Sequence, residues 1–157
     1  MCSSDLGLDR LRAYFRSTPA PDLHHKAMLL WASTRIDGLM TPAERDRTVK
    51  DLLALQRPDG GWSLPSLGDW TRRDGTPNDK AGAPSDGYGT GYVIFVLRQS
   101  GTPADAEPIR RGIAWLKTHQ RASGRWFTRS LGDDKHHYLT HVGTAFALMA
   151  LASCGAD

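Results

Sequence analysis

The chain has 157 residues, of which 39% are apolar and 24% charged, and this composition fits one globular domain or part of one. Its 20 Lys and Arg residues exceed its 17 Asp and Glu residues by only three, and the two signs are mixed along most of the chain, which argues against a nucleic-acid-binding face. No apolar run approaches the roughly 18 residues that a bilayer span needs, so we expect no transmembrane helix, while contact with a membrane surface stays open.

The first 22 residues carry the least structural information. Residues 1–6 are too polar for a signal peptide, and their Cys-Ser-Ser-Asp-Leu run matches the translated end of a common short-read sequencing adapter. We therefore expect residues 1–6 to be a non-native scar and the native protein to continue upstream. Its compartment stays undetermined, with the cytoplasm or a membrane surface as the expected place. Residues 7–22 form an N-terminal segment of undetermined structure.

Residues 23–85 contain two predicted helices and a long loop. Residues 27–36 resemble the apolar helices further along the chain and predict a first buried helix. Thr41, Pro42 and Glu44 form a capping-box pattern, which predicts the start of an amphipathic helix that ends before the glycine turn at residues 58–61. Residues 63–85 are rich in Gly and Pro, and we expect them to form a loop that covers a cavity or contacts a neighbouring segment.

The remaining residues repeat this order. Residues 89–97 and 143–151 are apolar almost all round, which predicts two buried helices. Between them, Ile109, Ile113 and Leu116 lie at helical spacing, so a second amphipathic helix is predicted to begin near residues 104–108, with Trp115 off its apolar stripe. Buried helices that alternate with amphipathic ones indicate an all-α fold of stacked helical hairpins.

Two internal repeats support this organisation. One motif occurs twice with an offset of 64 positions, as from Gln56 to Gln120. Its copies consist of Arg47, Leu52, Gln56, Gly60 and Trp62, and of Arg111, Leu116, Gln120, Gly124 and Trp126. The two buried segments also align with each other, with an offset of 54 from Gly89 to Gly143.

The repeated motif resembles the QW repeat in the C-terminal region of squalene-hopene and oxidosqualene cyclases. The chain more distantly resembles protein prenyltransferase β subunits, which have the same barrel. Gly112 follows Arg111 as the family motif prefers, whereas Thr48 stands at that place in the first copy. The resemblance implies that residues 23–157 form part of an α/α barrel, or toroid, in which inner helices surround a cavity and outer helices surround them. The motif's Gln and Trp are then expected to be structural, with the Gln amide satisfying backbone groups at a helix end and the Trp ring packing over it.

The resemblance also implies a function for a longer parent protein. Cyclases of this family are isomerases that cyclise a long isoprenoid in an apolar cavity, and they protonate it with an Asp-x-Asp-Asp motif. This sequence lacks that motif, and Asp133-Asp134 is its nearest match, so we expect the chain to be inactive without upstream repeats and its catalytic residues stay unknown. Asp86-Gly87-Tyr88 stands where prenyltransferases have a zinc-binding Asp-x-Cys, so neither a metal nor a cofactor is expected.

Polar residues near the starts of the inner helices are the expected contacts of an apolar isoprenoid ligand, and these candidates are Asp86, Tyr88, His137, His141 and His25. A helix-capping and loop-bonding role is the alternative for each of them. Two other functions stay open for the whole protein: a non-catalytic helical-repeat module that binds a partner, and an α/α-toroid enzyme that acts on polysaccharide.

Overall fold

The computed structural model describes residues 3–156, with side chains from residue 7 onward. Met1, Cys2 and Asp157 lie outside the described residues, and with them the first part of the expected scar. The described chain folds into six α-helices, which are α1 (Ser3–Ser17), α2 (Leu23–Ala32), α3 (Pro42–Ala54), α4 (Gly87–Gln99), α5 (Glu107–His119) and α6 (Leu139–Ser153). A single isolated bridge between Thr71 and Pro77 is the only β-type pairing in this part of the chain, so the all-α prediction is confirmed.

Helices α2, α4 and α6 lie side by side and run in the same direction. At the N-terminal end of the first pair, His24 Nε2 lies 2.9 Å from the Tyr88 hydroxyl. Near the opposite end of the pair, the rings of Trp31 and Phe95 meet edge to face with centroids 4.9 Å apart. Helix α4 is the middle member, and its residues 87–97 are all buried.

Helices α3 and α5 begin and end as their sequence signals predict. Thr41 caps α3 through a complete capping box, in which its amide donates to Glu44 Oε2 at 2.7 Å and its hydroxyl accepts from the Glu44 amide. Both helices are followed by turns with a glycine at positive φ, which is 92° at Gly60 and 76° at Gly124. Because side chains rarely adopt this backbone conformation, glycine is the residue that fits both turns.

Helices α4 and α6 form the most extensive helix pair in the fold. Gly91 lies at their crossing, where a side chain would begin only 2.7 Å from Ala147 Cα. Further along, the Arg98 guanidinium donates two hydrogen bonds to the Ser153 carbonyl oxygen at the end of α6, at 3.1 and 3.0 Å. The absence of a side chain at Gly91 therefore permits the close approach of these two backbones.

Two predictions about burial are wrong. Helix α6 is not buried all round, since Val142 is 44% and Leu148 54% exposed, because the side of α6 opposite α4 is not covered by the described chain. Trp115 does not lie off the apolar face, since it is only 6% exposed. Its indole stacks on His119 and its Nε1 donates to Asp59 Oδ2 at 3.2 Å, so the amphipathic ring packs against the turn after α3.

The loop at residues 63–85 includes a short 3₁₀ helix, Leu64–Leu67, and contacts the segment that precedes α6. Arg72 pairs with Asp134 at 3.1 Å and Arg73 with Asp133 at 3.2 Å. Nearby, the Trp70 ring packs edge-on against His24 in the first turn of α2, with centroids 5.8 Å apart. The loop therefore covers the N-terminal end of the parallel helices.

Candidate functional site

The two tryptophans of the repeated motif make the same hydrogen bond. Trp62 Nε1 donates to the Leu52 carbonyl oxygen at 2.8 Å, and Trp126 Nε1 donates to the Leu116 carbonyl oxygen at 2.8 Å. Both acceptors lie in the last turn of the preceding helix, α3 or α5, where few backbone amides remain to donate; the Leu52 carbonyl oxygen also accepts from the Leu55 amide at 3.2 Å. Since both indoles are almost completely buried, each ring ties a helix end to the turn that follows it.

The two glutamines of the repeated motif make one equivalent hydrogen bond, and Gln56 makes a further one. Gln56 Nε2 donates to the Gly60 carbonyl oxygen at 2.9 Å, and Gln120 Nε2 donates to that of Gly124 at 3.0 Å. Gln56 also donates to the Pro108 carbonyl oxygen in the first turn of α5 at 2.8 Å, which joins the end of α3 to the start of α5. These contacts indicate that the Gln and Trp side chains of the repeated motif hold helix ends and turns in place.

Asp86 caps α4 and joins three segments. Its carboxylate accepts hydrogen bonds from the Gly89 amide at 2.9 Å, the Leu64 amide at 2.6 Å and the Thr128 hydroxyl at 3.1 Å. Only 8% of the residue is exposed. Desolvation by this burial raises the pKa of Asp86 to about 6, although the hydrogen bonds oppose the shift.

The raised pKa of Asp86 predicts a pH dependence of stability. The unfolded carboxyl titrates near 3.8 and the folded one near 6, so the folded state holds its proton more tightly and loses relative stability as the pH rises from 3.8 through 6. Against an Asp86→Asn variant, which does not titrate, we expect the wild-type chain to lose roughly 1–3 kcal/mol of unfolding free energy between pH 4 and 7. Urea titrations across this range measure it, and parallel pH profiles for the two proteins would contradict it.

Tyr88 belongs to a cluster of aromatic rings at the same end of the helices. Its hydroxyl meets His24 Nε2, and the His24 ring stacks on Tyr92 with centroids 4.8 Å apart. Phe146 of α6 packs edge-on against both tyrosine rings. Burial lowers the pKa of His24, which favours the neutral form of its ring, and its buried Nδ1 has no hydrogen-bond partner among the described residues.

The three remaining candidate histidines lie in different surroundings. His25 is exposed on α2, where its Nδ1 lies 2.7 Å from Asp22 Oδ1. His137 precedes α6, accepts a hydrogen bond from the Ser130 amide at 3.2 Å and packs edge-on against Phe127. His141 is exposed on α6. The structure thus places both Tyr88 and His25 beside His24.

Asp22, His24 and His25 are the group in the described chain that could hold a metal ion, with ligand atoms within 4.8 Å of one another. Asp22 Oδ1 already accepts a hydrogen bond from the His25 amide at 2.9 Å, and His24 Nε2 is engaged by Tyr88. Zinc-bound atoms lie about 2.0–2.2 Å from the ion and hence roughly 3.4 Å from each other. The three side chains would have to rearrange to bind a metal.

A groove of about 940 Å³ opens between α1 and α2 and reaches α4. Its walls are mainly apolar and aromatic, and its lining includes Tyr14, Phe15, Met28, Leu29, Trp31 and Phe95. The sequence analysis missed this groove because it left residues 7–22 without a structure. Leu8, Leu11 and Phe15, which are partly buried apolar residues of α1, recur at helical spacing and were the signal available.

The sequence of the chain is similar to the sequences of two known synthases. No family model matches the chain. The chain is 30% identical over 115 residues to lanosterol synthase erg7A of Aspergillus fumigatus, and the match covers 69% of this chain and 13% of that protein. It is 28% identical over 152 residues to sporulenol synthase of Bacillus subtilis, across 90% of this chain and 22% of that protein. The chain is therefore distantly similar to two terpene cyclases, and it spans less than a quarter of the length of either.

Proposed function

We propose that this chain is a section of a terpene cyclase-like protein whose parent binds or cyclises a long apolar isoprenoid. The proposal treats the repeated Gln and Trp residues as QW repeats and the parallel helices as part of an α/α toroid. It is supported by the similarity to two synthases and by the two equal Trp hydrogen bonds. The chain carries no Asp-x-Asp-Asp motif, so the parent's acid would have to come from another section.

The groove between α1 and α2 is the observation that carries this proposal. Its aromatic rings lie on two of the parallel helices, Trp31 on α2 and Phe95 on α4, and Tyr14 and Phe15 face them from α1. Aromatic and aliphatic walls favour an apolar chain, and aromatic faces also attract carbocations. The groove's volume is within the range of small-molecule sites.

Polar side chains lie at the two ends of the groove. His24 and His25 lie at the N-terminal end of α2, and Arg35 and Gln99 lie at the other end, where Arg35 Nη2 is 3.5 Å from Gln99 Oε1. Helix α2, which forms one wall between these ends, has 10 residues and is about 15 Å long. The proposed ligand is thus an extended apolar molecule, with His25 as the predicted ligand contact that lines the groove. The ligand contacts at Asp86, Tyr88, His137 and His141 stay predictions for the assembled parent.

A binding measurement on the purified chain tests the proposal. Radiolabelled farnesol, an isoprenoid alcohol, is equilibrated with the protein across a dialysis membrane, and we expect saturable binding. Met28→Asp places a carboxylate on the groove wall, and we expect it to weaken binding at least about tenfold because the charge would have to be desolvated against an apolar tail.

Met149→Asp is the matched control, because Met149 is 36% exposed and Met28 40% exposed, but Met149 lies on α6 outside the groove. We expect this control to bind farnesol like the wild-type chain. Equal losses in both variants, or no saturable binding by the wild-type chain, would refute the groove as the isoprenoid site. A polysaccharide-binding module would instead retain a soluble glucan oligosaccharide and not farnesol.

A further inference from the structure

Arg35 places a positive charge at one end of the groove between α1 and α2. Within the described chain it is the only Lys, Arg, Asp or Glu residue that lines this groove. Its guanidinium makes one side-chain hydrogen bond there, to Gln99 Oε1 at 3.5 Å, which is long for such a bond. A guanidinium has five N–H donors, so most of those on Arg35 are available to a ligand.

The Arg35 side chain is not needed to end α2, although arginines often hydrogen-bond the carbonyl groups at a helix C-terminus. The last four carbonyl oxygens of α2 already accept hydrogen bonds from other groups. These bonds run from the Ser33 amide to Leu29, from the Ser33 hydroxyl to Leu30, from Thr34 to Trp31, and from the backbone amides of Arg35 and Ile36 to Ala32. The guanidinium is therefore an uncompensated charge beside an apolar wall.

We infer that the Arg35 end of the groove binds the carboxylate of an isoprenoid acid, so that the preferred ligand is an apolar chain with an anionic head. The inference rests on the proposed function, because it takes the groove as the isoprenoid site. An arginine fork donates two parallel hydrogen bonds to a carboxylate. The amide of Gln99 lies beside the guanidinium, and its Nε2 makes no hydrogen bond within the described chain, so it can donate to the same head group.

The charge at this end matches a carboxylate better than a phosphate. One guanidinium balances the single charge of a carboxylate, and Gln99 adds a neutral donor. A phosphate monoester carries a charge of about −1.5 to −2 near pH 7, which Arg35 alone would leave partly uncompensated.

The opposite end of the groove disfavours an anionic head. A helix N-terminus ordinarily attracts anions, but the Asp22 carboxylate already caps α2. Its Oδ1 accepts a hydrogen bond from the His25 amide at 2.9 Å and lies 2.7 Å from His25 Nδ1. A ligand carboxylate at His25 would meet this like charge. The ligand is thus expected to bind with its head at Arg35 and its tail between α1 and α2.

Equilibrium dialysis of the whole chain against radiolabelled farnesoic acid and farnesol tests the inference, because the two probes share one tail and differ in the head. Near pH 7, where carboxyl groups are ionised, we expect the acid to bind at least about fivefold more tightly than the alcohol. Arg35→Gln should weaken binding of the acid at least about fivefold and change binding of farnesol by less than about twofold. Retained farnesol binding also shows that the variant is folded.

Arg110→Gln is the matched control, because it removes the same charge from an exposed position on α5 outside the groove. We expect it to leave both affinities within about twofold of the wild-type chain. Farnesyl phosphate, which carries the same tail, should bind more weakly than the acid.

The outcomes separate this inference from the proposed function. Equal affinities of the wild-type chain for the acid and the alcohol would overturn the inference and leave the isoprenoid site intact, whereas a failure to bind either probe saturably would refute both. Equal losses in the Arg35 and Arg110 variants would show that net charge, and not contact with Arg35, sets the preference. Tighter binding of farnesyl phosphate than of the acid would overturn the assignment of a carboxylate.

Discussion

Trp62→Ala is expected to lower the free energy of unfolding by about 3–5 kcal/mol, the range for deleting a large buried aromatic side chain. The indole is fully buried, its Nε1 donates to the Leu52 carbonyl oxygen, and its ring edge lies against Gly112 of α5. The substitution therefore creates a cavity between α3 and α5 and also removes one of the two hydrogen bonds that the Leu52 carbonyl oxygen accepts. Urea denaturation followed by circular dichroism measures the change.

Three variants separate the contributions to this loss. Trp62→Phe keeps an aromatic ring but loses the donor, so about 1–3 kcal/mol is expected for the lost hydrogen bond to the Leu52 carbonyl oxygen and the smaller ring. Trp126→Ala should match Trp62→Ala to within about 1 kcal/mol because the second indole makes the same hydrogen bond and is 1% exposed. Tyr14→Ala, at a side chain that is 55% exposed, should change stability by about 0.5 kcal/mol or less. Losses as small at Trp62 as at Tyr14 would show that the indole does not hold the repeats together.

Gly91→Ala is expected to destabilise the chain by about 1–3 kcal/mol, although alanine favours helices over glycine by about 1 kcal/mol. The new methyl group would lie 2.7 Å from Ala147 Cα, and backbone atoms cannot move aside as a flexible side chain can. Helices α4 and α6 would have to separate over their whole contact to admit it. The midpoint of thermal unfolding measures this effect.

Gly7→Ala supplies the control for helix propensity alone. Gly7 also lies within a helix, α1, but nothing lies within 4 Å of the position that its side chain would take. We expect Gly7→Ala to be neutral or to stabilise the chain by up to about 1 kcal/mol. If both substitutions raised the melting temperature, the close packing of α4 on α6 would be refuted.

The sequence predicted the helices well where local chemistry determines them. The capping box at Thr41, the glycine turn at Gly60 and the alternation of apolar and amphipathic segments each act within a few residues, so they can be recognised without the fold. The predicted buried helix at residues 27–36 instead spans Leu23–Ala32, because its start depends on the Asp22 cap, which accepts from the His25 amide.

The candidate site was less predictable, because its surroundings depend on contacts between distant residues. Asp86 was selected as a polar residue near a helix start, yet its hydrogen bonds to Leu64 and Thr128 involve segments 22 and 42 positions away. His24 lies 64 positions from its partner Tyr88. The groove requires α1 to lie near α2, and no local pattern specifies that placement.

Helix α4 begins Gly-Tyr-Gly-Thr-Gly, a run that opposes helix formation, since each glycine costs about 1 kcal/mol relative to alanine. An isolated peptide with this sequence would not hold a helix, so α4 becomes helical only when the chain segments on both sides of it are in place. The hairpin formed by α4 and α5 therefore lacks independent stability. In this it differs from the units of many repeat proteins, which can unfold one at a time from an end. Loss of α6 would remove the backbone against which Gly91 packs, and with it the stability of α4. The three parallel helices should therefore exchange their amide hydrogens together, through a single cooperative opening.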